Sequence, residues 1–474
     1  MADNVKNSDY HKKTLVLGAE FKAYPNAIND PALDKAERLA SLRAETQAGA
    51  SFPNDRSKAE INNHIHTIYS FSPYSPSMAA LLARDAGLGA AGSVDHDSVG
   101  AAEEMLAACA ILGIGGCAGF EIRVSFKNGA DGNPSPFAAK KFNNPDSEGY
   151  AYITVQGIPR QSIQAAAEFL APIRAERFRR TEMMTVSANA LLKEAGFSEI
   201  DFQRDICGRS KYAEGGGITE RHLIAAVAEK FVLKYGKGPE LVTGLKSGSG
   251  ITLSPRLGAM LSDPDNPHYL YDLLGILKTE LLPKIYIQPN ENECIPAETL
   301  TAFAHSISAI PAYAYLGDVG ESPTGDKKAE KFEDDYIEEL FPELSRLGYR
   351  AVTYMPPRNT MEQLHKIRRL SAEWNFMEIS GVDINSSRQS FNCPEVLRDE
   401  FRHLLDTTWA LIAHERLASA DERYGLFSEK NPLASLDLAA RVEAYANFGK
   451  KLDLYRPDES AAEIAEKIVK GDTL

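Results

Sequence analysis

The sequence predicts an α/β fold: a parallel sheet or barrel, interrupted by a mainly helical insertion and followed by a helical C-terminal extension. Three observations support this. Short apolar strands alternate with helical stretches between about residues 59 and 126, the pattern of strand–helix–strand units. From about Arg160 to Gly275 the texture changes to helical. Residues able to do chemistry fall at or near successive strand ends, where such folds place their ligand sites.

Taken in order, Ile61 and Ile65 alternate with polar neighbours in "AEINNHIH", so the stretch reads as extended and puts Asn62, His64 and His66 on one face. Ser77 is read as the cap of a helix through "MAALLARDA", which Gly87 stops. "GAAGSVDHD" reads as a short strand ending in Asp95-His96, "GAAEEMLAACAILG" as a second helix, and "GCAGFEIRVSF" as a third strand carrying Glu121. Lys127 to Gly149 is rich in Gly, Asn, Pro and Ser and reads as a long loop before the strand "YAYITVQGIP". Inside the insertion, Arg174, Arg177, Arg179 and Arg180 lie on a helix with solvated charges, and "GLKSGSGITLSP" reads as a Gly/Ser loop. "IPAYAYLGDV" restores the strand pattern. In "EKFEDDYIEELFPEL", Phe332, Tyr336 and Leu340 fall at helical spacing, which assigns the acids to a solvated face. "YRAVTYMP" and "NFMEISGVDINSS" read as further strands, and Pro457 with two acids suits the first turn of a last helix. The organisation expected is an N-terminal extension (1–54), a first barrel part (55–160), the insertion (161–275), a second barrel part (276–400) and the helical extension (401–474).

Composition narrows the function classes. The 474 residues are 43% hydrophobic and 25% charged, enough for a sizeable core. A formal net charge of −14 argues against a nucleic-acid polymer or an anionic membrane as partner, while a small anionic substrate in a locally basic cleft stays compatible. Five cysteines, odd in number and with no Cys-x-x-Cys pair, fit reduced thiols. The N-terminus has only a very short apolar run. A cytoplasmic protein without a membrane span is expected.

His64-x-His66, then Asp95-His96 closing a strand, then Gly119-Phe120-Glu121, then a late Asp383-x-Asn385 resemble the polymerase and histidinol phosphatase (PHP) domain. Within it, the similarity is to nucleotide-phosphatase-like members with a helical insertion. It covers about residues 55–160 and 300–390. The resemblance implies a distorted (β/α)7 barrel holding metal at the strand C-terminal ends, and phosphoester hydrolysis assisted by that metal. It also implies that His64, His66, Glu121 and Asp383 hold one firm divalent ion, with Zn, Mn and Fe all suited to imidazole and carboxylate donors. Where the family pattern expects further ligands this chain has Phe71, Tyr152, Tyr315 and Asn385, which leaves His96 free for phosphate contact or proton donation.

Each residue also has a plainer reading. His64 and His66 would otherwise be satisfied histidines of a half-buried strand, and Glu121 a buried ion-pair member. Asp383 would be a turn residue. Asp95 is either an orienter of a metal-binding imidazole or a strand-end cap. Arg221-His222 resembles a phosphate-contacting segment and equally suits an exposed helix start. Arg388 is a candidate phosphate clamp, and Tyr315 and Asn385 are candidate substrate contacts. Together these describe a metal-dependent phosphoesterase acting on a small phosphorylated metabolite such as a nucleotide, with His96 and Asp95 assisting catalysis. Two alternatives stay open: a PHP-fold metabolite-binding protein with impaired turnover, and a metal-dependent hydrolase of an amide or cyclic amide.

Overall fold

Seven strands are buried along nearly their whole length, as expected when helices cover one face and the opposite wall of a barrel covers the other. The computed structural model describes residues 24–46, 59–128, 132–144, 146–318 and 331–470. The short apolar run near the N-terminus, and Val319 at the end of a strand candidate, lie outside these residues.

The strands are β1 (Ile61–Ile65), β2 (Ala90–His96), β3 (Gly115–Ser125), β4 (Tyr150–Gln156), β5 (Ile310–Ala314), β6 (Ala351–Tyr354) and β7 (Met377–Ser380), and they neighbour one another in chain order. The chain between β7 and β1 nearly closes the barrel. Ile384 N donates to His64 O (3.0 Å) and His66 N donates to Ile384 O (2.9 Å). The Asn62 side chain imitates a strand partner, donating to Val382 O and accepting from Val382 N, both at 3.0 Å. At this seam Gly381 is required: a Cβ there would lie 2.6 Å from His64 Cβ and 2.7 Å from His64 N.

Helices α2 (Pro76–Asp85), α3 (Ala102–Leu112), α10 (Ile337–Arg346) and α11 (Met361–Trp374) supply the crossovers between parallel neighbours. Strand β4 departs from this pattern. It runs antiparallel to both β3 and β5, because the described residues between Ser125 and Tyr150 supply no covering helix. The barrel is therefore mixed, and not a uniform repeat of parallel strand–helix units. The cap of α2 also differs from the sequence expectation: Ser75 accepts from Met78 N, with Pro76 at the first helical position. Ser77 instead donates to Glu104 (2.7 Å). That carboxylate is shared with the fully buried Arg38 of α1 (Lys35–Thr46), which pins the N-terminal segment to α2 and α3.

The insertion carries α4 (Ile163–Glu194), α5 (Glu220–Tyr235), α6 (Pro239–Ser249), α7 (Pro255–Ser262) and α8 (Tyr269–Ile285), so its helices continue past residue 275. Gly244 to Ser249, read from sequence as loop, is helical. A Cβ at Gly244 would fall 2.5 Å from the Tyr235 ring and one at Gly248 2.2 Å from the Tyr235 hydroxyl, so these glycines serve close packing. After α9 (Ala297–Ser306) the chain re-enters the barrel. The C-terminal helices are α12 (His403–Ala420), α13 (Leu438–Lys451) and α14 (Pro457–Lys470). The barrel and C-terminal helices share one hydrophobic core, and the insertion has another, which Phe71 from the loop after β1 enters. No described helix is long and apolar enough to cross a membrane.

Candidate metal centre

The carboxyl ends of β1, β2 and β7, with the middle of β3, bring five donors together. His64 lies near the end of β1 and His66 just beyond it. His96 closes β2 and sits beside Glu121 of β3 in the parallel register. Asp383 follows β7, held next to His66 by the seam hydrogen bonds at Ile384.

Three pairwise separations lie near those of ligands that share an ion. His64 Nε2 is 3.5 Å from Glu121 Oε1, His66 Nε2 is 3.8 Å from Glu121 Oε2, and His66 Nε2 is 3.4 Å from Asp383 Oδ1. Bonds of about 2.1 Å in a tetrahedral shell give ligand-to-ligand edges of about 3.4 Å. Two triads that share His66, namely His64/His66/Asp383 and His66/His96/Glu121, have donor atoms within 4.8 Å of one another. His96 is thus drawn into the cluster, where the sequence reading left it apart. Its Nδ1 lies 2.9 Å from Glu121 Oε2, yet this buried nitrogen has no aligned hydrogen-bond partner among the described residues. An acceptor-rich cluster with an orphaned imidazole nitrogen fits a cation.

The electrostatics agree. Burial opposes charge on His64, but the Glu121 carboxylate overrides it and raises the imidazole's pKa. Burial, reinforced by His96, pushes His66 down to about 3, so it is a neutral donor at physiological pH. Burial opposes ionisation of Glu121 and Asp383 as well, but the neighbouring imidazoles hold both carboxyls below their usual range. The Asp383 side chain is 34% exposed against 1% for His66, which marks Asp383 as the open side.

Other expected site residues are placed differently. Asp95 does not reach the cluster. Its carboxylate accepts from Thr67 N (2.6 Å), Thr67 Oγ1 (2.7 Å) and Ser70 Oγ (2.5 Å). Asn385 directs its amide at both oxygens of Asp383 (2.7 and 2.9 Å), aligning that carboxylate. Arg221, in the first turn of α5, donates to Asn385 O (3.1 Å), lies over the Phe71 ring and acts electrostatically on Asp383. His222 is a structural cap: its Nδ1 accepts from Thr219 N (3.0 Å), and burial drives its pKa to about 3. Arg388 is held by Asp272 of α8 through a bidentate ion pair (2.5 and 2.6 Å), tying the barrel to the insertion. The Tyr315 hydroxyl donates to Asp334, and burial raises its pKa further. Phe71 adopts a left-handed φ of 76° and packs edge-on to His222, so this loop anchors the insertion.

Beside the donors lies a second buried ionic group that the sequence conceals. Arg177 and Arg180 of α4, expected to be solvated, are buried together with Arg123 of β3. They pair with Asp97, Glu220 and Glu293: Arg177 with Asp97 (2.5 Å) and Glu220 (3.1 Å), Arg180 with Glu220 (2.5 Å) and Glu293 (2.6 Å), Arg123 with Glu293. The Arg123 guanidinium faces the ring of Tyr152, which in turn neighbours His96.

No protein-family model and no curated protein matches this chain. Among solved structures, one similar chain is a candidate metal-dependent phosphoesterase from Bifidobacterium adolescentis, with 15% identity and a TM-score of 0.46 over 76% of this chain and 98% of its own. Another is an amidohydrolase from Chromobacterium violaceum with bound sulfate and no metal, with 17% identity and a TM-score of 0.45 over 73% of this chain and 96% of its own.

Proposed function

We propose that this protein is a PHP-type, divalent-metal-dependent hydrolase that cleaves the phosphoester of a small metabolite, with nucleotides as the first candidates. The observation that supports this reading is the convergence of three imidazoles and two carboxylates at one barrel rim, in two candidate metal-binding triads that share His66. His64, His66, Glu121 and Asp383 would hold the ion, and Zn, Mn or Fe suits the donor set. When bound, the metal supplies Lewis acidity to the substrate oxygen and acidifies a water. Asn385 fixes the Asp383 carboxylate, and Arg221 brings positive charge to the open side. His96 has Nδ1 turned to Glu121, and its Nε2 is the nitrogen that would exchange a proton with the leaving group.

A second reading, hydrolysis of an amide or cyclic amide, is favoured by one specific observation. Arg388 is committed to Asp272, and the three buried arginines are matched by three carboxylates, which leaves little cationic charge for a phosphate. A screen of mononucleotides, bisphosphates, sugar phosphates and cyclic amides with added Mn²⁺ separates the readings. Phosphate release that disappears in His66→Ala and shows a raised KM in Arg221→Ala is the expected result. Amide turnover indifferent to Arg221→Ala would replace the phosphoesterase reading. Ligand-induced stabilisation without turnover of any substrate would indicate a binding protein.

A further inference from the structure

We propose that Ser70 positions His66 for metal binding by transmitting the constraint of the Asp95 carboxylate to the imidazole Nδ1. The inference rests on reading the donor cluster as a metal centre, and it assigns a role to a residue with no chemistry of its own. Thr67 to Ser70 form a turn closed by Ser70 N donating to Thr67 O (3.0 Å). Asp95, on the face of β2 opposite His96, clamps both ends of this turn.

Proton accounting fixes the direction of the chain. The Thr67 hydroxyl accepts from Tyr69 N (3.3 Å), so it gives its own proton to Asp95 Oδ2. Asp95 Oδ1 accepts from Thr67 N and from Ser70 Oγ. The single Ser70 proton is thereby used, and toward His66 Nδ1, 3.3 Å away, Ser70 Oγ can only accept. His66 must then carry its proton on Nδ1, which leaves the Nε2 lone pair open to a cation on the side flanked by Glu121 and Asp383. All four residues of the chain are at most 1% exposed, so water does not compete for these bonds. Such outer partners fix the tautomer and orientation of a ligating imidazole.

Two measurements on the full chain test this. Chelator-competition titration with Zn²⁺ or Mn²⁺ should show Ser70→Ala binding about 10- to 100-fold more weakly than wild type. Long-range ¹H–¹⁵N correlation on metal-free wild type should show His66 protonated at Nδ1, and this readout needs no variant to fold. Equal metal affinity in Ser70→Ala, or an Nε2-protonated His66 in the wild type, would overturn the proposal. A wild type that takes up neither metal would instead remove the metal-centre reading itself, and the proposal with it.

Discussion

Two buried ionic groups lie side by side in this barrel, and they are built on opposite principles. Around Arg123, Arg177 and Arg180, three guanidiniums meet three carboxylates, and the charges cancel within the protein. Around His66, three imidazoles and two carboxylates converge, and Arg221 acts electrostatically on Asp383. A matched set holds the insertion to the barrel. An unmatched set of acceptors is costly to bury unless a cation completes it. The contrast separates scaffold from site without reference to any relative.

Breaking the unmatched set should have the largest effect on function. Glu121→Gln removes a charge shared by His64, His66 and His96, so turnover should fall to background. The rise in Tm on adding Mn²⁺ should vanish with it. Breaking the matched set should act on stability instead. Glu293→Gln strips a carboxylate from buried Arg123 and Arg180 and should cost about 3–5 kcal/mol in urea unfolding. Metal affinity of the folded fraction should stay near wild type. If Glu293→Gln instead abolished metal binding and left stability alone, the division between the two groups would fail.

Part of the cluster follows from local strand geometry. Period-two alternation puts His64 and His66 on one face, whereas the approach of His96 to Glu121 is not expected there, because it depends on the register between neighbouring strands. What the sequence hides is pairing across long separations. Arg388 finds Asp272, and Arg177 finds Asp97 and Glu220, through contacts that no local pattern announces. Glycine misleads for a related reason: Gly244 and Gly248 look like loop residues, but tertiary contact with Tyr235 explains them. Acid runs mislead too. Asp335, Glu338 and Glu339 are exposed as expected, while Glu333 in the same run is fully buried. Ser70 and Thr67 gave no signal, since their importance lies only in the company they keep with Asp95 and His66.

Smaller perturbations sharpen the comparison. Gly381→Ala would push a methyl against His64 at the seam, so about 1–3 kcal/mol of stability should be lost. Metal affinity should weaken at the same time, because the same backbone carries a ligand. Glu333 offers a third kind of buried carboxylate, with neither a described cation partner nor convergent donors. Its Oε1 accepts from Leu316 N (2.8 Å) and Gly317 N (3.3 Å), its Oε2 has no partner among the described residues, and burial raises its pKa from 4.5 to about 7. The folded state therefore holds this proton more tightly than the unfolded chain. Its stabilising contribution is complete below about pH 4.5 and is lost as pH rises through about 7. Thermal unfolding across that window should show the decline, and Glu333→Gln should flatten it.

The central claim is that the His66 cluster is unmatched because a divalent ion belongs there. Metal content of full-length protein purified without chelator tests it most directly, with His66→Ala as the reference. The account predicts about one tightly held divalent equivalent per chain, absent from His66→Ala. No bound metal, the same content in His66→Ala, or three tight equivalents per chain would contradict it.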